Sequence, residues 1–182
     1  MSKVLRFSLA LAFVLAAGVA GAQSDDEWGK PEDLLNKEAP KVKLSLVDGG
    51  ELDLAKYRGE KYVVLDFWTT WCPWCRKSTE HFVKRAEQYK DEKVAFYMVS
   101  IGEEKSVVQD YLEKNDLDVN MALDPDRDVA DRYWVDYIPH VVVINPEGEV
   151  IKVAVGEDKI GPAMDEALSE AFPDAAEAGA VE

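Results

Sequence analysis

The sequence predicts an α/β fold in which a central mixed sheet is flanked by helices, and three observations carry that expectation. Nearly continuous apolar runs at 63–68 and 94–101 read as strands covered on both faces. Segments of helical period follow each of them. A turn signal, Asn145-Pro146-Glu147-Gly148, separates two further apolar runs and reads as an antiparallel hairpin. At 182 residues the chain is long enough for one domain with a sizeable core, and a second full domain would be cramped.

Taken in order, Lys3 and Arg6 precede an apolar run over 7–17 and then Ala20-Gly21-Ala22, the pattern of an export leader cleaved after a small residue, here Ala22. The apolar run is short for a bilayer span, which takes about 20 residues; the alternative is an uncleaved anchor holding the domain on the periplasmic side. Residues 23–38 are polar and acidic, with Trp28, Leu34 and Leu35 as their main apolar content, and read as a linker able to dock locally. From Ala39 onward Val42, Leu44 and Leu46 alternate with polar residues, and Asp48-Gly49-Gly50 gives a turn before Leu52 and Leu54, which predicts a first hairpin.

The strand over 63–68 then leads into Trp71-Cys72-Pro73-Trp74-Cys75, and a helix-compatible run over 76–89 follows. Pro73 suits the first turn of a helix, where its missing N–H has no intrahelical partner to lose, so the helix is expected to start at the cysteines. The strand over 94–101 comes next, then a helix around Val107, Val108, Tyr111 and Leu112 closed by Asn115-Asp116. A short helix is expected over 128–134, the hairpin strands over 141–144 and 150–155, and a last amphipathic helix over 160–172. Residues 173–182 read as an acidic, alanine-rich, mobile tail.

The formal net charge is -15. A phosphate backbone or an anionic membrane surface repels such a surface, so nucleic acid is excluded as a partner class. Acidity names no substrate by itself, since a solvated face is its ordinary meaning.

Cys72 and Cys75 are the only two cysteines, and they stand one helical turn apart at a strand-to-helix junction. A structural staple is the usual meaning of paired cysteines in an oxidising compartment. A bridge closing so short a loop restrains little unfolded-chain entropy, so reversible redox chemistry is the better reading. Zinc would need three or four ligands, and only His81 and His140 are available beside the cysteines, at irregular spacing; no metal is expected.

The span 39–172 resembles the thioredoxin superfamily, specifically its exported TlpA/ResA-like thiol-disulfide oxidoreductases, which add an N-terminal hairpin to a thioredoxin-like fold. The resemblance rests on Ala39-Pro40 before the first strand, Phe67-Trp68-Thr69-Thr70-Trp71-Cys72, and Ile138-Pro139 ahead of the strand that starts at Val141. It implies that Cys72 is the exposed nucleophile, that Cys75 is the more buried resolving thiol, that Pro139 is cis, and that Ile138 offers its backbone to a substrate strand. Trp71, Pro73 and Trp74 join Ile138 and Pro139 as expected substrate contacts.

Asp66 interrupts the apolar strand that leads to the motif, and Asp is depleted in strands. Burial of an unpaired carboxyl raises its pKa toward the range a general base needs, and the resemblance places an acid at the matching position, so Asp66 is the candidate base for Cys75. A hydrogen-bonded structural Asp, or one pointing to solvent at a strand end, is the alternative. His140, beside Pro139, is a candidate for favouring the thiolate, although a lone histidine is usually structural.

The expected activity is reduction of disulfides in exported proteins, with cytochrome c maturation as one setting, by a monomer that uses its own cysteine pair and no small-molecule cofactor. A membrane-bound electron-transfer partner would recharge it. The alternatives are an oxidant or isomerase of exported proteins and a non-catalytic binding module; a peroxidase is disfavoured because nothing here resembles a threonine-flanked peroxidatic cysteine.

Overall fold

The computed structural model describes residues 29–179, so the expected leader and the start of the expected linker lie outside the described residues. Seven strands form one sheet: β1 (Lys43–Leu46), β2 (Glu51–Asp53), β3 (Tyr62–Trp68), β4 (Val94–Ile101), β5 (Met121–Asp124), β6 (His140–Ile144) and β7 (Val150–Val155), in the spatial order β2-β1-β5-β4-β3-β6-β7. The centre, β5-β4-β3, is parallel. Both flanks are antiparallel, β6 and β7 on one side and β1 and β2 on the other.

The helices are α1 (Pro73–Gln88), α2 (Lys105–Asn115), α3 (Asp128–Arg132), α4 (Glu157–Ser169) and α5 (Pro173–Gly179). They do not divide evenly between the faces. One face packs Val64, Trp68, Met98, Val141 and Val143 against Cys75 and Phe82 of α1, Val108 of α2, and Ile160 and Met164 of α4. Phe82 meets Phe96 of β4 edge-on at 5.5 Å, a geometry that adds about 0.5–1.5 kcal/mol beyond area burial. The other face, with Leu52, Leu65, Phe67, Val99 and Val142, is covered by α3 and by the N-terminal segment that includes Leu34, Ala39 and Val42.

The linker docks as its apolar residues suggest, whereas two other sequence expectations need correction. Within the linker, Pro31–Leu34 forms a 3-10 turn that buries Leu34, and the chain then runs beside the start of β7. Asn36 N donates to Val150 O at 2.8 Å, Val150 N to Lys37 O at 2.9 Å and Ala39 N to Gly148 O at 2.8 Å. Leu34 and Leu35 are the apolar anchors of that acidic stretch. Residues 173–179 of the expected mobile tail are α5, started by Pro173 and held by Gln88 Nε2 donating to Ala175 O at 2.9 Å. Strand β5 has no counterpart in the sequence reading, because four residues buried on both faces show neither alternation nor a long apolar run.

The two rims of the sheet are treated differently. β2, on one rim, is three residues long. β7, on the other, has its start covered by 36–39, while Lys152 farther along pairs with Glu166 of α4. Among the described residues no helix is long and apolar enough to cross a membrane.

Candidate functional site

β3 ends at Trp68 and α1 begins at Pro73, so the loop 69–72 delivers Cys72 to the helix as its N-cap, with extended backbone at φ -82° and ψ 110°. Cys72 and Cys75 are joined in a disulfide with their Cα atoms 5.3 Å apart. The Cys75 N–H donates to Cys72 Sγ at 3.1 Å. In an oxygen-capped helix a side-chain oxygen takes such an N–H; here sulfur does, and the helix dipole favours negative charge at the same point. A thiolate formed at Cys72 would therefore meet a preformed donor.

Cys75 is fully enclosed and Cys72 is 4% exposed. The order of access is the one the resemblance implies, but Cys72 is much less open than an exposed nucleophile. In the disulfide its sulfur lies against the first turn of α1, where it receives the Cys75 N–H. Behind it, the Ser78 and Thr79 hydroxyls both donate to Cys75 O, at 2.9 and 2.8 Å, and fix the backbone of the second cysteine.

Asp66 lies in the same layer as the cysteines. It shares the β3 face of Val64 and Trp68, and its register partners, Met98 and Val141, belong with both of them to the cluster containing Cys72 and Cys75. It is completely buried, and neither carboxyl oxygen has a hydrogen-bond partner among the described residues. That speaks against the hydrogen-bonded structural alternative. Burial alone pushes its pKa well above the ordinary Asp value.

His140 does not join the pair. It pairs in register with Phe67, whose ring meets its imidazole edge-on at 5.9 Å, on the sheet face opposite Asp66 and the cysteines. Burial lowers its pKa to about 4, so the imidazole is neutral, and thiolate tuning by a cationic His140 is not supported.

The Ile138–Pro139 peptide bond is cis, in agreement with the resemblance. Pro139 O accepts from Gly156 N at 2.9 Å, whereas Ile138 has no backbone hydrogen-bond partner among the described residues. Trp71, Trp74 and Tyr137 stand out from the surface at 71%, 60% and 76% exposure. Trp71 and Trp74, next to Cys72 and Cys75 in the chain, thus put exposed aromatic surface beside a buried sulfur pair.

The sequence reading missed Glu103. Only 8% exposed, it accepts from Thr70 N at 3.0 Å, Thr70 Oγ1 at 2.5 Å and Ser100 Oγ at 2.7 Å. The available signal was an acid just past a buried strand, at the carboxyl end of a parallel pair, where α/β proteins place their sites. The third buried acid, Asp124, is a structural cap whose carboxylate receives Val129 N and Ala130 N.

Comparison with known proteins agrees with this geometry. The AhpC/TSA family matches residues 35–153. Thiol-disulfide oxidoreductase ResA of Bacillus subtilis (strain 168) is 34% identical over 128 residues, covering 70% of this chain and 71% of that protein. ResA of Halalkalibacterium halodurans is 31% identical over 113 residues, covering 62% and 64%. The thioredoxin domain of a Bacteroides vulgatus thiol-disulfide oxidoreductase superposes with a TM-score of 0.64 at 26% identity, covering 73% of this chain and 96% of that one.

Proposed function

The chain belongs to the AhpC/TSA family and is a thiol-disulfide oxidoreductase of the ResA type, and from that premise we propose that it works outside the cytoplasm as a reductant of disulfides in exported proteins. The observation that carries the chemistry is the sulfur cap: Cys72 Sγ receives the Cys75 N–H at the start of α1, where a thiolate is favoured over the free thiol's pKa near 8.5.

In the reduced protein the Cys72 thiolate attacks one sulfur of a substrate disulfide, forming a mixed disulfide and releasing the first substrate thiolate. Asp66 accepts the Cys75 proton, the Cys75 thiolate attacks Cys72 Sγ, and the Cys72–substrate bond breaks. The second substrate sulfur leaves as a thiolate and takes a proton from solvent. The substrate has gained two electrons, and the Cys72–Cys75 disulfide remains for an upstream dithiol, carried by a membrane-bound partner, to reduce. Trp71, Pro73 and Trp74 form one wall of the substrate surface, and the unpartnered backbone of Ile138 beside Pro139 offers an edge on which an extended substrate segment can pair.

Export is supported by the leader pattern of Lys3, Arg6 and Ala20-Gly21-Ala22. Maturation of apocytochrome c, whose cysteines must be reduced, is one setting that the family resemblance implies for this surface. The deciding measurement is the redox midpoint of the Cys72–Cys75 pair with an insulin-reduction assay beside it. A reductase is expected to lie below about -180 mV and to reduce insulin, whereas a midpoint near -120 mV belongs to a strong oxidant and would overturn the assigned direction.

A further inference from the structure

Glu103 takes no part in the exchange steps, yet it is a buried acid tied to the loop that carries the nucleophile. We propose that Glu103 is the positioning residue of the redox site, holding the loop 69–72 to the end of β4 so that Cys72 Sγ stays over the first turn of α1. The proposal rests on the reading that Cys72 is the attacking sulfur.

Enclosing a carboxyl group is costly unless its oxygens are satisfied. Those of Glu103 are satisfied mainly by the motif loop: one oxygen receives both Thr70 N and Ser100 Oγ, the other receives Thr70 Oγ1. The end of β4 is itself fixed. Ser100 is fully buried and pairs in register with Trp68, while Gly102, at φ +68°, donates its N–H to Asp124 O at 2.9 Å. Inside the loop, Cys72 N donates to Thr69 O at 3.3 Å, a bond local to the turn, and Thr69 Oγ1 has no partner. Glu103 therefore ties the loop to a different element just two residues before the nucleophile. A pinned Thr70 also fixes where its neighbour Trp71 leaves the surface.

Amide and methyl replacements separate position from charge. In Glu103→Gln the side-chain carbonyl can still accept from Thr70 N and Ser100 Oγ, and the new NH2 can donate to a Thr70 hydroxyl that has turned round. In Glu103→Ala every one of these bonds is lost.

The test is the pH profile of Cys72 alkylation by iodoacetamide in the reduced protein, read by mass spectrometry of the Cys72 and Cys75 positions. In Glu103→Ala the midpoint should rise by about one pH unit, roughly a tenfold loss of reactivity below it, as the sulfur leaves the helix N-terminus. Glu103→Gln should stay within roughly threefold of the parent. Thr70→Val, which keeps the backbone bond, should shift in the same direction by less, and it decides the matter if Glu103→Ala does not fold. An unshifted profile in folded Glu103→Ala, or in Thr70→Val where that variant alone folds, overturns the proposal. So does a Glu103→Gln shift as large as the Ala shift, which would mean that charge acts rather than position. Preferential alkylation of Cys75 in the parent would instead sink the underlying reading of the nucleophile.

Discussion

Asp66 and His140 are neighbours in the sheet with opposite consequences for pH. Burial without a hydrogen-bond partner among the described residues disfavours the charged form of Asp66 and raises its pKa. Between the unfolded pKa near 3.9 and its raised folded value, the folded protein binds the extra proton, so its contribution to stability falls as pH rises. Asp66→Asn should therefore be more stable than the parent at pH 7 and lack that decline, as read by denaturant unfolding with the disulfide intact. The same variant should slow release of a mixed disulfide more than its formation in quenched single-turnover reactions, since only release needs the Cys75 proton removed. His140 works the other way. With its folded pKa near 4 and an unfolded value near 6.5, the unfolded chain binds more protons in between, and the parent should lose about 3 kcal/mol as pH falls through that window. His140→Leu should flatten this loss in unfolding curves taken from pH 7 to pH 4. Sequence pointed to Asp66 because an acid inside an apolar strand is conspicuous. It could not show which face His140 takes, because that depends on where β6 begins and on its register against Phe67.

At the level of elements, β4 and β7 lie where the apolar runs predict, since strands buried across much of their length leave an unbroken signature. Elements held by a few distant contacts leave almost none. α5 is the clearest case: its residues are polar and small, and its place is set by Gln88 on α1 and by the packing of Ala175. Removing residues 173–182 should cost about 1–2 kcal/mol from one hydrogen bond and modest apolar burial, lowering the melting temperature by roughly 2–8 °C for a chain of this size. Differential scanning calorimetry of the truncated oxidised protein checks this, and insulin reduction should be unaffected because α5 carries no residue of the redox site.

For the whole molecule, the α/β class and the position of the sulfur pair were legible because a buried strand, a cysteine pair and a proline at a strand entry occur together in the chain. The unequal covering of the two sheet faces was not, for it depends on the N-terminal segment crossing to β7 through Asn36, Lys37 and Ala39. That crossing, together with the brevity of β2, matters for the company this protein keeps. Partly unfolded clients arrive with bare strands seeking a ladder to extend, and long open margins invite such annealing. Here one margin is too brief to template a guest and the other is stitched down where it starts, which leaves the backbone at Ile138, unclaimed among the described residues and next to the cis proline, as the berth our proposal gives to a substrate strand.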